Sequence, residues 1–205
     1  MIRANDNLAI LSAEAPINSP MLTDGAAFMQ LQEEFRHAFD MTLIDMPRNM
    51  LINFPHLLSE VNVVTLVTEM TLASARDTIR ALSWLKTNAA HAVPIIVANK
   101  VQPASAEISK ADFEASIERP IDIQIAYDQK AASNAAKLGQ TFAAANASSK
   151  ATAGIKQLAN RIVNTSGEEA ADGGDAGGDK KSLLGSFDLK SLLAKKDKKA
   201  APAAQ

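Results

Sequence analysis

The chain has 205 residues, of which 47% are hydrophobic and 21% charged, and its formal net charge is -2. These values are typical of one soluble domain with an appendage, and the small net charge disfavours a nucleic-acid-binding surface. The sequence contains no cysteine, which excludes disulfides and thiolate metal sites.

Two further classes of protein are disfavoured. Residues 1–6 lack the apolar stretch of a signal peptide, and no apolar run approaches the roughly 20 residues of a transmembrane helix. The three histidines are not spaced as metal ligands, and no nucleophile motif of a hydrolase is present. We therefore expect a cytoplasmic protein without a histidine metal site.

The first predicted elements are a strand and a helix. Residues 8–12 form a short apolar run, which predicts a buried strand. After Asp24, a helix is indicated by Phe28, Leu31 and Phe35, which recur at helical spacing.

The stretch 39–47 is predicted to be the central strand. Its apolar residues run without alternation up to Asp45, as in a parallel strand covered by helices on both faces. Pro47 forbids a helix or a central strand just beyond it. Asp45 would then lie at the carboxyl end of a strand, where ligands bind in open α/β sheets. The alternative is that Asp45 only caps a turn.

The middle of the chain alternates between strand and helix patterns. A short helix is predicted around residues 55–59, a buried strand over 62–68, and a long helix capped by Thr71. Another buried strand covers 94–98 and ends at Asn99 and Lys100. The inward stripe of the long helix is predicted to comprise Leu72, Ala75, Ile79, Leu82 and Leu85.

The last third of the domain continues this alternation. A capping box at residues 109–112 opens a helix to about residue 117, and the alternating pattern of 121–125 predicts an edge strand. Asp128 is predicted to cap a helix that stops at Gly139, and Ser148 or Ser149 to cap a final helix. The order predicts an α/β fold with a mainly parallel sheet and helices on both faces.

The composition changes near residue 166. Residues 1–165 are predicted to form the α/β domain, 166–180 a flexible Gly/Asp linker, and 181–205 a disordered Leu/Lys tail that contains a small repeat. On a helical wheel the apolar residues of the tail do not form one face, so a docking motif is favoured over membrane contact. The predicted interaction residues of the tail are Leu183, Leu184, Phe187, Leu192 and Leu193.

Polar residues follow each predicted parallel strand and would share one rim of the sheet. They are Asp45, Thr68 and Glu69, Asn99 and Lys100, and Tyr127 and Asp128. This rim is where a nucleotide binds in open α/β sheets. The alternatives are structural, because Asn99 is common in turns and Asp128 in helix caps.

The order of these segments resembles that of MinD/ParA-type ATPases. Residues 39–47 (FDMTLIDMP) resemble the Walker B strand, commonly D-x-x-x-I-D-x-P, and 64–77 (VTLVTEMTLASARD) resemble the next strand and helix of that family. Residues 95–101 (IIVANKV) are similar to the base-binding strand, and 113–139 look most like the pilus-assembly branch (CpaE/TadZ type). The resemblance spans residues 8–163.

The resemblance implies roles for individual residues. Asp45 would be the Walker B carboxylate near Mg²⁺, and Asn99 would contact the adenine of ATP. Lys100 would belong to the same nucleotide-binding motif, and Tyr127 with Asp128 would begin the loop beside the base. Arg76 and Asp77 would lie near a dimer face. The implied function is localisation of a Tad/Flp-type pilus machine at the inner membrane or cell pole, with components of that machine as partners.

The departures from the family limit this expectation. The sequence has no Walker A loop, and Lys100 has no glycine-rich stretch before it. Nothing in the chain would cradle the β- and γ-phosphates, so we expect weak or absent ATP and Mg²⁺ binding and no autonomous hydrolysis. Three explanations of the missing P-loop region remain open. The remaining strands close up, another chain supplies the P-loop half, or the sequence is truncated. A DNA-partitioning role ranks lowest, because positive charge is concentrated only in the tail.

Overall fold

The computed structural model describes residues 1–12, 18, 24–102 and 107–172. Its elements, in chain order, are β1 (Ile2–Asn5), β2 (Leu8–Ile10), α1 (Gly25–Ala38), α2 (Arg48–Asn53), a 3-10 turn (Pro55–Leu58), β3 (Val63–Thr68), α3 (Leu72–Asn88), β4 (Val93–Val101), α4 (Lys110–Ile117), β5 (Ile123–Ala126), α5 (Gln129–Leu138), α6 (Phe142–Ala145) and α7 (Lys150–Asp172).

A parallel sheet in the order β3-β4-β5 organises these elements. β3 pairs with β4 from Val63 opposite Val93 to Thr68 opposite Ala98. β5 pairs with the other edge of β4. Since parallel neighbours need long crossovers, α3 and α4 connect the strands. The predicted α/β fold with a mainly parallel sheet is therefore confirmed.

Both faces of this sheet are covered. Ile96 and Phe113, both completely buried, belong to one apolar cluster with residues of α3 and α4. Val97, the next residue on β4, belongs to a cluster on the opposite face, against which Leu158 and Ile162 of α7 pack. Successive strand residues point to opposite faces, so the apolar run of β4 supplies two cores and the fold has three layers.

The prediction that residues 39–47 form the central strand is wrong. Residues 41–47 form neither helix nor strand. Leu43 is 77% exposed and Ile44 is 42% exposed. A strand needs a neighbouring backbone for its hydrogen bonds, and within the described residues β3 pairs only with β4. The apolar run is present, but none of the described strands pairs with it.

The strand predicted over residues 8–12 is present as β2, but the prediction that it is buried is wrong. β2 pairs antiparallel with β1, with Ile2 opposite Ile10, and both strands are largely exposed. A local turn explains the pairing, because the Asn5 side chain accepts a hydrogen bond from the Asn7 amide at 2.8 Å. The hairpin therefore forms from neighbours in sequence.

The predicted stripe of α3 is partly wrong. Ala75 and Leu85 are buried as predicted, but Leu72 is 62% exposed and Ile79 is 44% exposed. Thr78, which the prediction omitted, is buried in their place. Leu82 packs against the core as predicted. The inward line therefore runs through Ala75, Thr78, Leu82 and Leu85, which leaves Leu72 and Ile79, one heptad apart, on the flank of the helix.

The predicted helix ends are confirmed. The side chains of Thr71, Ser109 and Asp128 each accept a hydrogen bond from an amide in the first turn of their helix. Gly139 follows α5 in the left-handed conformation, with a φ of 59°. Ser149 accepts from the Ala151 amide at the start of α7.

α7 continues to Asp172, into the segment predicted as a linker. The rest of that segment and the five predicted interaction residues of the tail lie outside the described residues. In the part of the chain that the structure describes, no helix has the length and apolarity needed to cross a membrane.

Candidate functional site at the carboxyl ends of the strands

A cleft of about 740 Å³ runs along β3, and we call it the β3 cleft. It is lined by residues 42–46, by the whole of β3 and by Glu69. Near the carboxyl end of β3 its lining becomes polar and includes Asp45, Asp77 and Asn99. The predicted site residues Asp45 and Asn99 therefore share one cavity, although residues 41–47 are not a strand.

Lys100 and Glu69 form an ion pair beside this cleft. Lys100 Nζ lies 2.7 Å from Glu69 Oε1, so the ends of β4 and β3 are tied together. The strand register shifts between Ala98 and Val101, and Lys100 adopts a φ of 53° within that irregularity. The hydrogen bond and the negative charge of Glu69 raise the pKa of Lys100 above its ordinary value.

Asp77 is also paired. Its carboxylate lies 2.6 Å from the guanidinium of Arg48, which follows Pro47 directly. This pair fastens the segment after Asp45 to α3. Arg76 is exposed on the same helix. Arg48 is the only cation among the described residues that line the β3 cleft.

Tyr127 and Asp128 have structural roles outside the β3 cleft. Asp128 accepts a hydrogen bond from the Ala131 amide at 2.9 Å with one oxygen, and from the Ser149 hydroxyl at 3.0 Å with the other. It therefore caps α5 and holds the start of α7. The Tyr127 hydroxyl donates to Gln129 at 3.3 Å, and its side chain is 42% exposed. Neither residue is part of the cleft lining.

Sequence reasoning missed a buried pair of hydroxyls in the cleft wall. Thr78 Oγ1 donates to the Ser74 carbonyl at 2.8 Å and lies 3.1 Å from Thr68 Oγ1. Thr68 and Thr78 are both buried. The signal was a threonine three residues after Ala75, where the inward line of the helix continues.

The chemistry of the cleft fits only part of a nucleotide site. A lone carboxylate such as Asp45 suits Mg²⁺ that is held mainly by phosphate oxygens and water. The neighbouring cations, Arg48 and Lys100, are already paired with carboxylates. Among the described residues, no group of three His, Asp or Glu side chains could hold a metal by itself. The described side chains of the cleft do not fit a triphosphate, because they offer it no unpaired cation.

Comparison with known proteins shows which solved structures share this fold. The sequence matches no protein-family model and no curated protein. The structure resembles the MinD cell division protein of Aquifex aeolicus, with a TM-score of 0.60 and 18% identity over 71% of this chain and 63% of that chain. It also resembles a ParA family ATPase from Chlorobium tepidum TLS, with a TM-score of 0.58 and 19% identity over 65% of this chain and 55% of that one.

These similarities concern the fold. The chain spans less than two thirds of the length of either solved structure. Its parallel sheet and the helices on both faces agree with that similarity. The protein therefore has a MinD/ParA-like α/β fold.

Proposed function

We propose that this protein is a spatial organiser of a Tad/Flp-type pilus machine, which binds partners of that machine and does not hydrolyse ATP on its own. The MinD/ParA-like fold supports the general class. The resemblance of residues 113–139 to the pilus-assembly branch supports the pilus role.

One observation carries the proposal that the chain lacks turnover. The cations beside the β3 cleft are neutralised, Arg48 by Asp77 and Lys100 by Glu69. Asp45 adds another carboxylate to the same cleft. Phosphoryl transfer depends on positive groups that stabilise the phosphate oxygens, and this lining supplies no free one among the described residues. This charge balance supports a binding role without turnover.

The direct test is phosphate release by the purified chain with ATP and Mg²⁺. The expected rate equals that of buffer, and an Asp45→Ala variant gives the same rate. Turnover by the unmodified chain that disappears in Asp45→Ala would refute this part of the proposal.

The localising role is assigned to the tail, residues 181–205. A fluorescent fusion of the full chain should concentrate at the inner membrane or cell pole, where the pilus machine assembles. Removal of residues 180–205 should disperse it, whereas exchange of the four lysines Lys195, Lys196, Lys198 and Lys199 for glutamine should not, since docking by the leucines requires no membrane charge. An unchanged distribution after the deletion would contradict the assignment.

The alternative is that the chain forms the carboxyl-terminal portion of an active MinD/ParA-type ATPase. The observation in its favour is the share of the solved structures that the chain covers, 63% and 55%. The intact mass of the protein purified from its native cell decides between them. A mass well above 21.7 kDa, together with ATP turnover, supports this alternative.

A further inference from the structure

α3 carries a regular line of exposed residues along its length. Five of them follow one another at intervals of four and three positions, and they are Leu72, Arg76, Ile79, Ser83 and Lys86. We call this line the outer stripe. Residues at this spacing lie on one side of a helix, so the outer stripe runs for about 21 Å along α3. None of these five residues lines the β3 cleft, so the outer stripe is a separate surface.

The apolar part of the outer stripe has the spacing of a contact between two helices. Leu72 is 62% exposed and Ile79 is 44% exposed, and they are seven positions apart on α3. In paired helices, apolar residues that recur once per heptad pack against the neighbouring helix. The exposed side of a surface helix ordinarily carries polar residues at these positions. The two side chains therefore mark a contact line for a second helix.

The charges of α3 are unbalanced. The helix contains three cations, Arg76, Arg80 and Lys86, and one carboxylate, Asp77. This carboxylate is already engaged, because its oxygens lie 2.6 Å from the guanidinium of Arg48 and 3.9 Å from that of Arg80. Within the part of the chain that the structure describes, Arg76 and Lys86 form no ion pair, and both are exposed. α3 therefore presents uncompensated positive charge beside its two exposed apolar residues.

We propose that the outer stripe of α3 binds an acidic amphipathic helix of a partner protein. The partner helix packs apolar residues at heptad spacing against Leu72 and Ile79. Beside them, Asp or Glu residues one turn apart pair with Arg76 and Arg80. A partner helix of about four turns, or about 15 residues, matches the length of the outer stripe. This inference does not depend on nucleotide binding or on a role in pilus assembly.

Charge distinguishes this partner from two other kinds of occupant. A second copy of the chain fits poorly, because a two-fold contact through the outer stripe brings Arg76 and Lys86 of one copy against the same cations of the other. An anionic membrane is disfavoured, because the chain has a formal net charge of -2 and the outer stripe offers only two apolar side chains for insertion. An acidic helix matches both the apolar and the charged residues of the outer stripe.

The test uses the full chain and a fluorescein-labelled peptide of three heptads, with Leu at positions a and d, Glu at e and g, and Ala or Gln elsewhere. Repulsion between its glutamates disfavours self-association of the free peptide. We expect saturable binding by fluorescence anisotropy, about tenfold weaker in about 0.5 M salt than in about 0.05 M. A peptide with Lys in place of every Glu should not bind. Equal binding of the two peptides would overturn the proposal.

Protein variants locate the site. Arg76→Glu should weaken binding of the acidic peptide about tenfold, whereas Arg161→Glu, the same change at an exposed position of α7, should not. Ile79→Ser should also weaken binding about tenfold, whereas Leu138→Ser, at an exposed leucine of α5, should not. If Ile79→Ser fails to fold, the comparison of Arg76→Glu with Arg161→Glu still decides. Equal effects of those two charge reversals would contradict binding at the outer stripe.

Three further outcomes contradict the proposal. The first is absence of saturable binding of the acidic peptide. The second is a dimer of the free chain, seen by sedimentation velocity, that Ile79→Ser dissociates, because a second copy would then cover the outer stripe. The third is binding to vesicles of phosphatidylcholine and phosphatidylserine that is lost in Ile79→Ser, because a membrane would then be the occupant.

Discussion

At the scale of single residues, pairing decides what the strand-end groups can do. Of the residues predicted for a nucleotide site, Asp45 and Asn99 line the β3 cleft, Lys100 is held by Glu69, and Asp128 is used in helix capping. A residue type and its position at a strand end could be predicted from sequence. Its partner could not, because Glu69 and Lys100 are 31 positions apart and meet only through strand pairing.

The pKa of Lys100 tests the ion pair with Glu69. The folded chain raises this pKa above 10.5, so the pair contributes stability that is fully present below pH 10.5 and is lost as the pH rises through the raised pKa. In Glu69→Gln, the pKa of Lys100 should fall toward 10.5 in an NMR titration. Glu34→Gln, a change on exposed α1 surface, serves as the control and should leave it unaltered. An identical Lys100 titration in Glu69→Gln would show that the pair does not form.

Asp128 should matter for stability. Asp128→Ala removes the hydrogen bonds to the Ala131 amide and the Ser149 hydroxyl, and the free energy of unfolding should fall by about 1–2 kcal/mol. Asp128→Asn keeps an acceptor for the amide and should cost less. Urea denaturation measures both. Equal stability of Asp128→Ala and the unmodified chain would contradict the capping role.

At the scale of secondary-structure elements, locally determined features were predictable and pairing was not. The caps at Thr71, Ser109 and Asp128 depend on residues within one turn, so the sequence pattern located them. Residues 41–45 have the composition of a buried strand, but a strand also requires a neighbour. The described chain provides none beside β3. The hairpin of β1 and β2 formed instead through a turn of its own.

The close packing of α7 on β5 leads to a further testable prediction. A Cβ atom at Gly154 would lie 2.6 Å from the Gln124 carbonyl oxygen and 3.3 Å from Ile125 Cα. Gly→Ala in a helix interior ordinarily stabilises by about 1 kcal/mol. Here Gly154→Ala should destabilise by about 1–3 kcal/mol, because helix and strand must separate. Asn160→Ala, at an exposed position of α7, should be neutral or slightly stabilising in the same thermal or urea unfolding. A stabilised Gly154→Ala would show that α7 does not lie so close to β5.

At the scale of the whole molecule, the sheet has a well-packed side and an open side. β4 is covered by helices on both faces, with Ile96 and Val97 fully buried. β3 borders a cleft whose far wall is an unpaired apolar segment. The MinD/ParA-like fold is therefore combined with a rim where carboxylates and their bound cations are close to balance. Among the described residues, such a rim offers no unpaired cation to a triphosphate.

Calorimetric titration of the full chain with ATP and Mg²⁺ tests this account most directly. Because Arg48 and Lys100 are already paired, we predict no saturable heat, and the same result for Asp45→Ala. A micromolar dissociation constant that is lost in Asp45→Ala would contradict the account, since it would show that this rim binds the phosphates after all.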